Sequence, residues 1–232
     1  MSMPVALKLL RRSKLAKVKA EPKPYQWQRS SVQSAAGFTL IEVLVVIIIV
    51  GILAAIAGPS WWGFMNQRRL SVANEAVLKA LQEAQSQAKK NKLSYSVSFR
   101  RDSDNNLQIA IYPTSSTTPS WKNFGQDLGI KQGQVTIGTN LDGENTAGSS
   151  ISYDLSDPDN KITFDYMGTL PTTTSTSLGN DEQGLIIAVA ATSSTTSTQP
   201  TGATKRCVKV ATILGSIQNG RLNSSNDKCE PL

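Results

Sequence analysis

The chain has 232 residues, 39% hydrophobic and 18% charged, enough for one globular domain with a modest core and an additional segment. Its formal net charge of +7 points at first to nucleic acid or a membrane surface, and the lack of any histidine removes the usual general base, the commonest metal ligand and the Ser-His-Asp and Cys-His arrangements. Two cysteines, Cys207 and Cys229, are too few for a zinc site without histidine partners.

The charge is unevenly placed. Residues 1–37 hold eight basic residues (Lys8, Arg11, Arg12, Lys14, Lys17, Lys19, Lys23 and Arg29) against one acid, Glu21, which leaves sixteen basic and sixteen acidic groups for residues 38–232. The excess therefore belongs to a leader and says little about the rest of the chain. Next comes FTLIEVLVVIIIVGILAAIA, residues 38–57. Twenty helical residues span about 30 Å, the thickness of a bilayer core. A basic flank stays cytoplasmic, so the chain beyond this run lies outside the inner membrane. One residue breaks the apolar run: Glu42. A carboxylate inside hydrocarbon costs on the order of 2.5–3.5 kcal/mol, so either it reaches the headgroups or it has a partner.

Gly37-Phe38-Thr39-Leu40-Ile41-Glu42, after a basic leader and before an apolar run, resembles the class III signal of type IV prepilins and pseudopilins. The resemblance implies that a prepilin peptidase cuts after Gly37 and methylates the freed amine of Phe38. It also implies that Glu42 pairs with the N-terminal amine of a neighbouring subunit during assembly. Opposite charges attract strongly in a low dielectric and relieve each other's desolvation, which gives that pairing a physical basis. Two other readings exist. Ala55-Ile56-Ala57 fits the small-x-small site of an ordinary secretory signal, against which stand the long leader, Glu42 and Pro59. A plain single span leaves Gly37 and Glu42 unexplained.

Gly51 and Pro59 mark a helix kink, since proline removes one helical hydrogen bond and crowds the previous turn. Trp61, Trp62 and Phe64 suit an interfacial aromatic belt or packing between subunits. The helix then resumes: Leu70, Ala73, Val77, Leu81, Ala84 and Ala88 recur at steps of three and four. Arg68, Arg69, Asn74, Glu75, Lys79, Gln82, Glu83, Gln87 and Lys90 fill the polar positions, and the helix ends near Asn91 or Lys92. From Leu93 the period becomes two, with Leu93, Tyr95, Val97 and Phe99 alternating with Ser94, Ser96, Ser98 and Arg100. A turn at 102–106 leads to Leu107, Ile109 and Ile111, which predicts a hairpin. Further strands are expected over 135–139, 151–153, 161–166, 185–191 and 207–214, with a tight turn at Asn219-Gly220 and solvated Thr/Ser-rich loops at 114–120, 172–177 and 192–201.

The expected fold is therefore α+β. A long N-terminal helix, transmembrane and then amphipathic, packs on an antiparallel β-sheet domain, as in pilin-like proteins. The divisions are 1–37, a cleaved basic leader; 38–58, the transmembrane and assembly helix; 59–92, its amphipathic continuation; and 93–232, an extracytoplasmic β-sheet domain. Three looser segments, 81–100, 162–171 and 207–222, resemble H-type pseudopilins and FimT-type minor pilins. That resemblance implies no enzymatic activity and no cofactor. Its implied partners are the prepilin peptidase, other pilin or pseudopilin subunits, an inner-membrane assembly platform and membrane lipid, and DNA only as a weaker candidate. The implied location is the inner membrane, single-pass, before filament incorporation.

Cys207 and Cys229 are expected to form one disulfide that ties the C-terminal tail to the last long strand, with two free thiols as the alternative. Asp154, Asp157, Asp159 and Asp165 lack the glycine and terminal glutamate of a calcium hand, so a solvated loop is expected there and no metal. For DNA, Arg206 and Arg221 are the contacts to consider among five basic groups in residues 201–232.

Overall fold

In a computed structural model, residues 37–172, 176–180, 183–192, 198–202, 204–223 and 225–231 are described. The expected leader and parts of two Thr/Ser-rich loops lie outside them. The described chain falls into two units, 37–48 and 49–231.

Helix α1 (Leu40–Asn91) runs through Gly51 and Pro59 in helical backbone. Its first part is rich in Val and Ile, which are mediocre helix formers in water. In a bilayer that preference matters little, because a spanning segment must satisfy its own backbone groups and a helix does so. From Leu70 onward Ala, Leu, Gln, Glu and Lys favour the helix outright. Lys89 and Lys90 complement the negative end of the helix in its last turn, and Lys92, at φ 56°, takes the left-handed conformation that stops it.

Two antiparallel sheets come after the helix. The first has the order β3-β2-β1-β6, from β1 (Tyr95–Arg101), β2 (Leu107–Pro113), β3 (Lys122–Asn123) and β6 (Lys161–Phe164). The second has the order β10-β9-β8-β7-β4-β5. Its strands are β4 (Val135–Leu141), β5 (Ala147–Ser152), β7 (Leu185–Ala191), β8 (Lys205–Val210), β9 (Ile217–Leu222) and β10 (Cys229–Pro231). The α1 stripe of Leu70, Ala73, Val77, Leu81, Ala84 and Ala88 is buried with Val97, Ile162 and Phe164 of the first sheet and Ile137, Ile187 and Val208 of the second. This is the α+β pilin-like arrangement, a long helix on curved antiparallel sheet.

Side-chain amides join the pieces by imitating backbone. Asn145 donates to the Thr163 carbonyl (3.0 Å) and accepts from the Thr163 amide (2.8 Å), which pairs the free side of β6 with the turn between β4 and β5. Asn140 does the same at β7, donating to the Gly184 carbonyl (2.9 Å) and accepting from the Ile186 amide (2.7 Å). Both asparagines are buried, so these bonds also meet the rule that buried polar groups find partners.

Several expectations need correction. Asn219-Gly220 is not a turn: it sits inside β9, and the chain reverses instead at Thr212–Gly215, where the Gly215 amide donates to the Thr212 carbonyl (2.9 Å). Gly220 is required for close approach. A Cβ there would collide with the Glu230 carbonyl oxygen and Cys229 Sγ. Ser96 and Ser98 do not face solvent; they are buried and bond to Thr163 Oγ1 (2.8 Å) and Tyr112 Oη (3.0 Å). Leu93 precedes β1 and is exposed. Asn74 is buried rather than outward, donating to Asn219 Oδ1 (2.5 Å) and the Cys207 carbonyl (3.4 Å).

The disulfide Cys207–Cys229 joins β8 to β10 across β9, with a Cα–Cα distance of 5.9 Å. Strands two places apart in a flat sheet lie roughly 10 Å apart, so this edge curls inward over Gly220. Closing a 22-residue separation stabilises by about 3 kcal/mol in the chain-entropy account.

Candidate functional site

The N-terminal site is built by the first turn of α1. Thr39 precedes the helix. Its carbonyl accepts from the Glu42 and Val43 amides (3.1 and 3.2 Å), and its Oγ1 also accepts from the Glu42 amide (3.3 Å). Thr-x-x-Glu is the spacing of a capping box, a signal present in the sequence that explains where the helix begins. Glu42 thus stands in the first turn, at the positive end of the helix, where negative charge is favoured. Gly37 and Phe38 lie before the helix, and Phe38 is 80% exposed. Leu40–Ala57 is long and apolar enough to cross a membrane, and none of it is buried within the chain. Just beyond, Trp61 and Phe64 are exposed, with ring centroids 6.3 Å apart.

Arg206 and Arg221, which the sequence leaves fifteen residues apart, are direct cross-strand partners on β8 and β9. Arg206 lines a cavity of about 400 Å³ with Phe64, Gln67, Arg68, Ser71, Val72 and Glu75 of α1. Its Nε is buried and, among the described residues, has no hydrogen-bond partner. Among the described residues, none of Arg68, Arg206 and Arg221 has a carboxylate within 4.0 Å. Arg68 belongs to this group and was not singled out from the sequence, because only the fold brings α1 against β8.

The acidic residues at 154–165 work locally. Asp154 and Asp157 each accept from the amide two residues on (3.0 and 2.9 Å). Asp165 accepts from the Met167 and Thr169 amides and from Thr169 Oγ1, each at 2.9 Å, closing the turn after β6. Among the described residues no three His, Cys, Asp or Glu side chains gather as for a metal. A further joint went unread in the sequence. Gln85 Nε2 donates to the carbonyls of Gly168 (2.7 Å) and Gly215 (2.9 Å), tying together the segments 81–100, 162–171 and 207–222.

Residues 33–58 match the family described as the prokaryotic N-terminal methylation motif, the stretch that holds Gly37, Phe38 and Glu42. No curated protein and no solved structure matches the chain. The chain thus combines that motif and a membrane-length helix with a pilin-like fold.

Proposed function

We propose that this chain is a structural subunit of a filament, a minor pseudopilin or minor pilin, processed by a prepilin peptidase after Gly37 and N-methylated on Phe38. The observation that carries this reading is the methylation motif, set on an apolar helix with no cover of its own. Cleavage leaves an ammonium just ahead of the helix, at the end where the macrodipole already repels positive charge. A carboxylate from another subunit relieves that cost, and Glu42 is the acid placed to supply it. The chain itself carries out no reaction. Its partners are the peptidase, an inner-membrane assembly platform, membrane lipid and other subunits, whose helices replace the bilayer around residues 40–57. Heterologous contacts of this kind give an open helical filament when the rotation does not close. H-type pseudopilins of type II secretion and FimT-type minor pilins are the finer assignment, supported by the three segments that Gln85 joins.

Mass spectrometry of the N-terminal peptide tests this reading. It predicts N-methylated Phe38, whereas conventional secretion of a binding protein predicts a start at Gly58. Replacing Glu42 with Gln should leave cleavage intact and abolish filament incorporation; unchanged incorporation refutes the assembly role.

A second reading, a DNA-binding minor pilin for uptake, is favoured by Arg206 standing opposite Arg221. It predicts salt-sensitive binding that Arg206→Ala and Arg221→Ala each weaken. Absence of binding at low ionic strength discards it.

A further inference from the structure

We propose that the cavity between the end of β1 and the start of β4 binds one acidic sugar unit, a hexuronate whose carboxylate is held by Arg101 and Lys131. The site goes beyond the filament role and does not rest on it. The cavity measures about 170 Å³ and lies where the chain passes from the first sheet to the second. Leu107, Phe124, Ile130 and Val135, all buried, give it an apolar wall. The loop from β3 to β4 is already shaped: the Gly125 carbonyl accepts from the amides of Leu128 (3.0 Å) and Ile130 (3.1 Å). Glycine is needed at 125, where φ is 81° and a Cβ would stand 2.9 Å from Ile130 Cβ.

Charge fixes one end of the ligand. Among the described residues, the lining holds two cations, Arg101 and Lys131, and no acid. Arg101 donates from Nη2 to Thr136 Oγ1 (2.6 Å) but reaches the Asn105 carbonyl from Nη1 only at 3.5 Å. Neither Arg101 nor Lys131 has a carboxylate within 4.0 Å among the described residues. The acid next in sequence, Asp102, is engaged elsewhere. It accepts from the amides of Asp104 (2.9 Å) and Asn106 (2.8 Å) and from Asn106 Nδ2 (3.0 Å). Burial pushes the Arg101 guanidinium below its ordinary value, so its charge is poorly solvated and a bound anion relieves that penalty. Its planar donors suit a carboxylate, and the Lys131 ammonium adds a second positive charge.

The rest of the lining selects what the carboxylate is attached to. Asn105, Asn106, Gln126 and Gln132 each bring a primary amide, which both donates and accepts. Asn106 Nδ2 is committed to Asp102 and Gln132 Nε2 to the Asp104 carbonyl. Among the described residues, the side-chain amides of Asn105 and Gln126 are left for a ligand. Groups that donate and accept match hydroxyls, which do the same, whereas phosphate and sulfate offer chiefly acceptors. Size agrees. An apolar cavity of about 150 Å³ holds benzene, so one six-membered ring fits here and a small inorganic anion underfills the space. Gln126, Lys131 and Gln132 are exposed, which puts the polar substituents of that ring at the mouth and its carbon face against the apolar wall.

The test titrates the full chain in detergent micelles with glucuronate and with glucose, reading binding by saturation-transfer NMR of the sugar protons. Glucuronate should bind about tenfold more tightly than glucose, which has the same ring without the charge. Arg101→Gln should weaken glucuronate about tenfold and Lys131→Gln about threefold, with glucose little changed. Lys131 is exposed on a loop, so its variant alone decides the matter where Arg101→Gln does not fold. Equal binding of the two sugars, no binding of glucuronate, or an affinity that Lys131→Gln leaves unchanged each overturns the proposal. So does displacement of glucuronate by an equal concentration of inorganic phosphate, which assigns the cavity to a simple anion.

Discussion

Two stretches of α1 place apolar side chains in opposite circumstances. Over Leu40–Ala57 the apolar residues occupy every side of the helix and all lie exposed, whereas over 70–88 a stripe of them is buried, with Val72, Ala76 and Leu78 half-buried along its edges. The first stretch has no partner inside its own chain. Its stability comes from whatever surrounds it, lipid or other helices, and it contributes nothing to the fold of the sheet domain. The second supplies the helical side of that domain's core, buried with residues of both sheets. A hydrophobic helix that is apolar all round and one that is apolar on a single face are thus answers to two solvents, written into one continuous element.

The contrast is open to direct attack. The largest effect should come from Leu81→Asp, which buries an unpaired charge where α1 packs on the sheets: near-ultraviolet circular dichroism of the full chain in detergent should show the domain unfolded. Val46→Asp, equally severe in chemistry, should leave that spectrum unchanged and instead release the chain from membranes on alkaline extraction. Should Val46→Asp unfold the domain, the two stretches are not independent. Next in size, removing the disulfide by Cys207→Ala with Cys229→Ala should lower the unfolding free energy by about 3 kcal/mol, read from urea denaturation. Gln85→Leu should cost about 1–3 kcal/mol, because two carbonyls lose their donor.

The smallest effect concerns pH. Burial, with Asp227 nearby, pushes the Tyr153 hydroxyl up to about 12, and among the described residues that hydroxyl has no hydrogen-bond partner. The folded state thus holds this proton more tightly than the unfolded state. The associated stability is full below pH 10, where unfolded tyrosine begins to ionise, and is lost as the pH rises toward about 12. Tyr153→Phe should flatten that alkaline decline in thermal melts and leave stability at pH 7 unchanged or slightly higher.

The same division governs how much of the molecule was legible in its sequence. Residues 37–42 and the 70–88 stripe were legible because their signals are local: a short motif, a span length, a period near 3.6. Strand β7, apolar throughout, was legible in full as 185–191. The errors arose where a residue answers to something distant. Gly220 looks like a turn glycine and is there to let β10 and a disulfide pass; Asn74 looks like a solvent residue and serves β8 and β9. Ser96 and Ser98 satisfy the alternation of a half-exposed strand, yet neighbouring hydroxyls cover them. The separation into two sheets, and the strands β3, β9 and β10, depend on register, which no single segment carries. For the same reason Arg206 and Arg221 could be suspected singly but not seen as a pair.

The bridge between β8 and β10 has a mechanical consequence. Tension applied at β10 cannot peel that strand and β9 away one bond at a time, because the load passes through sulfur directly to β8, which lies deeper in the sheet. The 22-residue separation it spans would otherwise extend by about 75 Å. With that slack withheld, a tug on the far edge of the domain reaches the pairing of β8 with β7 at once.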